Sequence, residues 1–263
     1  AYCRGVVDGT IVAGRLGKLA VRLHLQDLEQ GAKRGLYFDA AIAAESIAFI
    51  ELVCKHSKGE WAGTPVILAP WQKFIVWVLL GWRRASDRMR RFNKALIEVA
   101  RKNGKSTLCS TLALMLLLFD NPVEMGAEIF VAATKKSQAK IIFNEAKRMV
   151  EQSPSLGSRL AVTKDAITVV GNDSFFQPLG ADGHGTDGLN PHAVFMDELH
   201  AWRDYYREYH EKLTTGSAAR RQPLFVTITT AGDDKSALWQ EEHDFAVRVL
   251  EAIDRGSVVA DSV

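Results

Sequence analysis

Cysteine is scarce in this 263-residue chain: Cys3, Cys54 and Cys109 are far apart, odd in number and without CxxC spacing. That pattern argues against a disulfide framework or a cysteine zinc site, and makes a reducing compartment the expectation. Long apolar runs are missing as well. The longest, Leu108 to Phe119, holds twelve residues and includes Ser110 and Thr111, against the ~20 that span a bilayer. No basic start leads into an apolar run and a small-residue cleavage site, so secretion is not expected. Internal repeats and low-complexity tracts are also wanting. What is present, 47% hydrophobic and 24% charged residues, is the balance of a globular protein and excludes global disorder.

The net charge of +2 conceals an uneven distribution. Between Arg83 and Lys105 nine lysines and arginines face only Asp87 and Glu98, whereas from Asp233 to Asp254 seven acidic residues face Lys235 and Arg248. Such asymmetry suits a protein that meets polyanions on one face, beside the plainer reading of a solvated surface.

Apolar spacing predicts helices over 19–31 and 39–57, the second with Asp39 placed to cap its start. Gly59, Gly63, Pro65 and Pro70 mark 56–70 as an irregular connection, and 71–82 reads as a buried helix. An alternation then sets the fold class. Lys94–Val99 reads as a strand, Lys105–Phe119 as a buried helix, Glu128–Ala133 as a strand and Ser137–Glu151 as an amphipathic helix. Two short strands, Ala166–Val170 and Ser174–Gln177, flank the turn Gly171-Asn172-Asp173, and Ala193–Met196 and Leu224–Thr229 are further apolar strands. The expectation is an α/β fold with a mostly parallel central sheet flanked by helices.

Four segments carry chemistry. Between a strand and a long helix stands Val99-Ala100-Arg101-Lys102-Asn103-Gly104-Lys105-Ser106-Thr107. A phosphate-binding loop needs backbone N–H groups at a helix start, a lysine for the β- and γ-phosphates and a hydroxyl for Mg²⁺. Gly104, Lys105 and Ser106 meet the end of that pattern, while Val99 replaces its first glycine. Arg101 and Lys102 add charge suited to a triphosphate, and Arg101 is placed to act as an arginine finger in cis. The second segment, Ala193–Met196 followed by Asp197-Glu198, sets two carboxylates at the carboxyl edge of a sheet. Asp197 is the candidate to hold Mg²⁺ and Glu198 to orient and polarise water. The third is Thr229-Thr230-Ala231-Gly232, whose hydroxyls can sense loss of a γ-phosphate. The fourth is Pro70-Trp71-Gln72, with an amide able to read an adenine edge. Each has a plainer reading alone: a chance Gly-Lys-Ser, a charged turn, a polar strand end, a helix start.

Together, Pro70-Trp71-Gln72, the arginine-bearing loop at 100–107, the block 188–202 and the segment 223–232 resemble the ATPase domain of large terminase subunits. These are the DNA-packaging motors of tailed bacteriophages. The resemblance covers roughly residues 5–250 and turns the missing glycine into support, since that deviation is a family habit. It implies an ASCE-type P-loop NTPase with an amino-terminal helical segment. By residues the implied division is 1–60 helical extension, 61–250 ATPase domain, and 251–263 the start of a linker to a nuclease domain. It implies ATP and Mg²⁺ as cofactors, with Gln72 at the adenine and Arg101, Lys102, Asn103, Gly104, Lys105, Ser106 and Thr107 at the phosphates. Ser106 and Asp197 would hold the metal, Glu198 would be catalytic with Arg101 and Lys105, and Thr229, Thr230 and Ala231 would couple hydrolysis to DNA movement. The implied partners are double-stranded DNA, the portal protein of the procapsid, a small terminase subunit and further copies in a ring, a pentamer, with a monomer in isolation. No membrane partner is implied, and the implied location is the cytoplasm of the bacterial host. No nuclease activity is expected from these residues.

One departure concerns the trans-acting arginine of some related motors. The stretch Asp182 to Gly188 contains none, which leaves Arg203, Arg220 or Arg221 as substitutes. The histidines show no metal-ligand spacing, and His200 is expected to hydrogen-bond behind Glu198. The rival readings are a helicase-like P-loop ATPase and an assembly module in which ATP serves ring formation only.

Overall fold

The computed structural model describes residues 1–182, 188–233 and 235–254. They form two compact units, interleaved in sequence. The first holds Ala1–Ile47, Leu68–Asn93 and the described residues from Glu241 onward; the second holds Ala48–Ile67 and Lys94–Gln240. The helix at Pro70 groups by its contacts with the amino-terminal helices.

In the first unit lie helices α1 (Tyr2–Asp8), α2 (Arg15–Gln30), the start of α3 (Ala40–Val53) and α4 (Pro70–Gly81), with the antiparallel strands β1 (Leu36–Phe38) and β2 (Trp82–Arg84). Asp39 caps α3 as expected, its Oδ1 accepting the Ile42 N–H at 3.0 Å. At the start of α4, Pro70 occupies the first turn and Gln72 Oε1 accepts the Ala69 N–H at 2.9 Å. The core is aromatic: Trp82 donates its indole N–H to His24 Nδ1 at 3.0 Å, and Phe38, Phe74 and Trp82 stand edge-on to the His24 ring.

This packing corrects the reading of the basic run. Arg83 and Arg90 are each only 1% exposed, and Arg91 is paired with Asp27 at 2.5 Å and lies over the Trp82 and Phe92 rings. Arg34 also pairs with Asp27. These cations belong to the interior of the unit and do not form a face for polyanions. The surface share of the run is Arg88, Lys94, Arg101 and Lys102, with the half-exposed Arg84 paired to Asp87.

The second unit is a seven-stranded sheet in the order β3 (Lys94–Glu98), β9 (Leu224–Thr229), β8 (Pro191–Asp197), β4 (Glu128–Ala133), β7 (Phe175–Gly180), β6 (Ile167–Val169), β5 (Leu160–Val162). The first five are parallel, and β6 and β5 run antiparallel at the end. α5 (Lys105–Phe119) and α6 (Lys136–Gln152) pack together, and α6 lies against β4 and β7. α5 is apolar on nearly every side, which a helix can be only when enclosed; even its Ser110 is buried and donates to the Ile142 carbonyl of α6. Phe130, Val194, Met196 and Phe225 instead join a cluster with Trp202, with Tyr209 and Leu213 of α8 (Arg207–Thr215) and with Leu238 of α9 (Ala237–Asp254). Short α7 (Pro154–Gly157) leads into β5. Covering on both faces explains why β8 and β9 are largely apolar and buried along their whole length. Among the described residues no helix is long and apolar enough to cross a membrane.

Candidate active site

Parallel strands bring their carboxyl ends to one edge of a sheet, and the loops there are where open α/β folds bind ligands. The loop after β3 carries residues 100–104, and β8 ends at Asp197 and β9 at Thr229. Because β9 stands between β3 and β8, its terminal threonine lies between the two chemistry-bearing loops.

The loop after β3 folds by local chemistry. Lys102 and Gly104 both take left-handed backbone, φ 65° and 73°, and the chain then enters α5 at Lys105. Glycine adopts such a φ without the Cβ clash that penalises other residues, which is why Gly104 stands at the helix start. Asn103 braces the turn from inside, its Nδ2 lying 3.2 Å from the carbonyls of Ala100 and Arg101. Arg101, Lys102 and Asn103 are exposed at the rim, and Lys105 is buried. Lys105 Nζ donates to the Val99 carbonyl at 3.3 Å and pairs with Glu198 Oε1 at 3.2 Å. Thr107 donates to Glu145 Oε1 of α6 at 2.5 Å.

Glu198 itself is strained. Its φ of 52° is one of three positive values at non-glycine residues in the described chain, and the other two are at Arg88 and Lys102. Such backbone costs about 1–3 kcal/mol and persists where surrounding contacts over-determine it. Here they do: the Glu198 N–H donates to the Ile228 carbonyl at 2.9 Å, and Oε2 receives the Thr230 N–H at 3.3 Å and lies 3.0 Å from His200 Nδ1. His200 Nδ1 is also 3.0 Å from Thr229 Oγ1, which receives the His200 N–H and donates to the Thr230 carbonyl. Glu198, His200, Thr229 and Thr230 therefore form one polar cluster. Ala231 is exposed beyond it.

Asp197 is buried beneath. Desolvation first, and the charge of Glu198 second, push its carboxyl up to about 7, against the opposing pull of Lys105 and a hydrogen bond from Gln138. A buried carboxylate held in that state gains from a cation. The donors present, one carboxylate and the Ser106 hydroxyl of the first turn of α5, fit a Mg²⁺ bound chiefly through nucleotide phosphates and water. No cluster of three or more His, Cys, Asp or Glu side chains among the described residues holds a metal by protein ligands alone.

A cleft of about 340 Å³ opens over the loop, lined by Arg101, Lys102, Gly104 to Thr107, Glu145, Glu198 and, from the connection after α3, His56, Ser57 and Lys58. Sequence reasoning missed Glu145, Gln138 and 56–58. Glu145 and Gln138 sit in an ordinary amphipathic helix, and 56–58 carries no motif. Gln72 belongs to the first unit, where its side chain caps α4.

The three substitute arginines separate. Arg220 is 9% exposed at its side chain, ties down the carbonyls of Asn190 and Gly126 and pairs with Glu124, all at the amino ends of β4 and β8. That commitment speaks against Arg220 as a group offered to a neighbouring subunit. Arg221 is exposed beside it, and Arg203 donates to the Lys235 carbonyl at 2.8 Å and lies 3.4 Å from Asp233. The arginine-free stretch at 183–187, and the linker expected over 251–263 from residue 255 on, lie outside the described residues.

A helix-starting lysine loop and an Asp-Glu strand end, separated by one added strand, define a P-loop NTPase of the ASCE type. Residues 70–248 match the family described as the terminase large subunit, ATPase domain. The chain is 30% identical over 201 residues to the terminase large subunit of Enterobacteria phage HK97, covering 74% of this chain and 38% of that protein. The crystal structure of the HK97 bacteriophage large terminase matches with a TM-score of 0.65 at 25% identity, over 81% of this chain and 42% of that one. A looser likeness, TM-score 0.43 at 12% identity over 62% of this chain and 38% of that one, is to the large terminase of a thermophilic bacteriophage in complex with ADP. The chain belongs to the ATPase-domain family of terminase large subunits. It spans about two fifths of the length of the HK97 relatives it matches.

Proposed function

We propose that this domain hydrolyses ATP to move double-stranded DNA into a viral procapsid. The observation that carries the reading is the single carboxylate of Glu198, which touches both Lys105 of the phosphate loop and Thr230 of the segment after β9. A group that feels the phosphates on one side and a strand end on the other is suited to hydrolysis and to passing on its result.

In this reading the N–H groups at the start of α5 and the Lys105 ammonium bind the β- and γ-phosphates, with Lys102, Asn103 and Thr107 around them. Arg101, exposed at the rim, swings over the γ-phosphate and stabilises charge developing there. Asp197 and Ser106 hold Mg²⁺, which when bound supplies neutralisation of phosphate charge. Glu198, released from Lys105 by the incoming phosphates, orients and polarises the attacking water. Thr229, Thr230 and Ala231 carry the change onward. DNA is gripped through its phosphates without sequence preference. The partners are the procapsid portal, a small terminase subunit and further copies in a pentameric ring, in the host cytoplasm. Arg203 or Arg221 is the group offered across a subunit boundary.

The test is ATP turnover by the chain with and without linear double-stranded DNA, at two salt concentrations, beside Glu198→Gln. Expected is a basal rate that DNA raises more at low salt and that the variant loses. Turnover unaffected in Glu198→Gln would sink the assignment, and oligomerisation driven by ATP without turnover, with or without DNA, would favour the assembly-module reading.

A further inference from the structure

The connection between α3 and α4 reads in sequence as an irregular link, yet its first residues line the same cleft as the phosphate loop. It is not a slack segment. The His56 N–H donates to the Thr64 carbonyl at 2.9 Å, the Gly63 N–H to the His56 carbonyl at 2.9 Å and the Val66 N–H to the Cys54 carbonyl at 3.0 Å, around an antiparallel bridge of Lys55 with Pro65. Cys54 and Val66 are buried, so the neck of this loop is anchored in the core of the second unit. Ser57 and Lys58 leave the neck toward the cleft.

Ser57 is 8% exposed, and its hydroxyl finds no hydrogen-bond partner among the described residues. A buried hydroxyl left unsatisfied works against the fold, and alanine at this position would remove that defect. Lys58, next in the chain, is exposed on the same wall. Around the cleft stand the cations Arg101, Lys102, Lys105 and Lys58 against the carboxylates Glu145 and Glu198, and among the described residues no Phe, Tyr or Trp lines it. An excess of positive charge without an aromatic platform suits a phosphate chain better than a base.

We infer that Ser57 and Lys58 form the second wall of the nucleotide site and clamp the phosphate chain of a nucleoside triphosphate from the side opposite Lys105. The inference rests on the proposed reading of the cleft as an ATP site. The Ser57 Oγ reaches a phosphate oxygen by rotation about χ1, which gives the hydroxyl the acceptor it lacks. Lys58 adds a charge-assisted hydrogen bond to the same chain. Both contacts go to groups that ATP shares with GTP.

The experiment is equilibrium titration of the whole chain with fluorescent N-methylanthraniloyl derivatives of ATP and GTP, together with thermal melts in the absence of nucleotide. Lys58→Ala is expected to weaken binding of both nucleotides about tenfold, the loss of one charge-assisted hydrogen bond, with Lys58→Arg restoring it to within about twofold. Ser57→Ala is expected to weaken both about fivefold while melting no lower than the unaltered chain, since it removes an unsatisfied group. Lys105→Ala serves as the reference for the site as a whole. If Lys105→Ala abolishes binding but Ser57→Ala and Lys58→Ala bind as tightly as the unaltered chain, the clamp is wrong and the ATP site stands. A loss confined to the adenine nucleotide also overturns the clamp, because the contact would then be with the base. A lower melting temperature in Ser57→Ala with unchanged affinity assigns the hydroxyl to the fold. Failure of the unaltered chain to bind either nucleotide overturns the ATP-site reading and the clamp with it.

Discussion

Lys105 Nζ lies 3.2 Å from Glu198 Oε1, so the cation placed for the phosphates and the carboxylate placed for water neutralise each other. Both side chains are sheltered, 9% and 20% exposed, which makes the pair sensitive to losing one member. On the proposed reading a triphosphate competes for Lys105 and frees Glu198 at the same moment, so the pair holds the site quiet until the phosphates arrive.

Two variants separate those roles. Glu198→Gln keeps the shape of the side chain, frees Lys105 and removes the carboxylate proposed to polarise water. Nucleotide affinity should hold or improve while turnover falls about 10²–10⁴-fold, the usual worth of a general base. Lys105→Ala should lose affinity together with turnover. Calorimetric binding beside a phosphate-release assay reads both quantities. Equal loss of affinity in the two variants would refute this division of labour.

Thr229 is wholly buried, and its hydroxyl receives the His200 N–H and donates to the Thr230 carbonyl. Thr229→Val keeps the volume and leaves both backbone groups without that partner, which should cost about 1–3 kcal/mol of stability. Because His200 and Thr230 also hold Glu198 Oε2, kcat should fall while the KM for ATP changes little. A variant that melts and turns over like the parent would show the cluster to be incidental.

His24 sets a pH dependence in the first unit. Burial pushes its imidazole down to about 4, since the ring is enclosed by aromatic side chains and its Nδ1 accepts the Trp82 indole N–H. The unfolded chain takes up this proton near pH 6.5 and the folded chain only near 4. Between those values the unfolded state binds more protons, so stability contributed by neutral His24 is complete above pH 6.5 and is lost as pH falls toward 4. Denaturant unfolding followed by tryptophan fluorescence at about pH 7 and about pH 4.5 should show the loss, and His24→Phe should flatten it. An unchanged pH profile in that variant would remove His24 as the cause.

The strands and helices that position the site were legible where burial is nearly complete. The spans Lys105–Phe119, Glu128–Ala133 and Leu224–Thr229 have the same bounds in sequence and in fold, because enclosed elements show as mostly apolar segments. Three-residue strands such as Leu36–Phe38 and Leu160–Val162 are too short for periodicity to register. The basic run misled for a different reason. Arg91 is neutralised by Asp27, 64 residues earlier, and sequence proximity carries no trace of that pairing. The lysine loop and the Asp-Glu strand end were visible as motifs, whereas Gln138, Glu145 and Ser57 reach the site only through the packing of a helix and the anchoring of a loop.

Gly232 closes the threonine segment after β9, and its place depends on a close approach that only glycine allows. A Cβ built there would lie 2.4 Å from the Trp239 ring, far inside any contact distance. The ring cannot yield freely, because its Nε1 donates to Glu98 Oε1 at the end of β3. Gly232→Ala must therefore displace either the indole or the threonine segment, an overpacking change that costs about 1–3 kcal/mol. Displacing the indole breaks its bond to Glu98 and should shift tryptophan emission. In a Trp239→Leu background the obstruction is relieved, so the same alanine should cost much less, and the two changes should couple by about 0.5–3 kcal/mol in a double-mutant cycle. Strict additivity would show that glycine is required at 232 for some other reason.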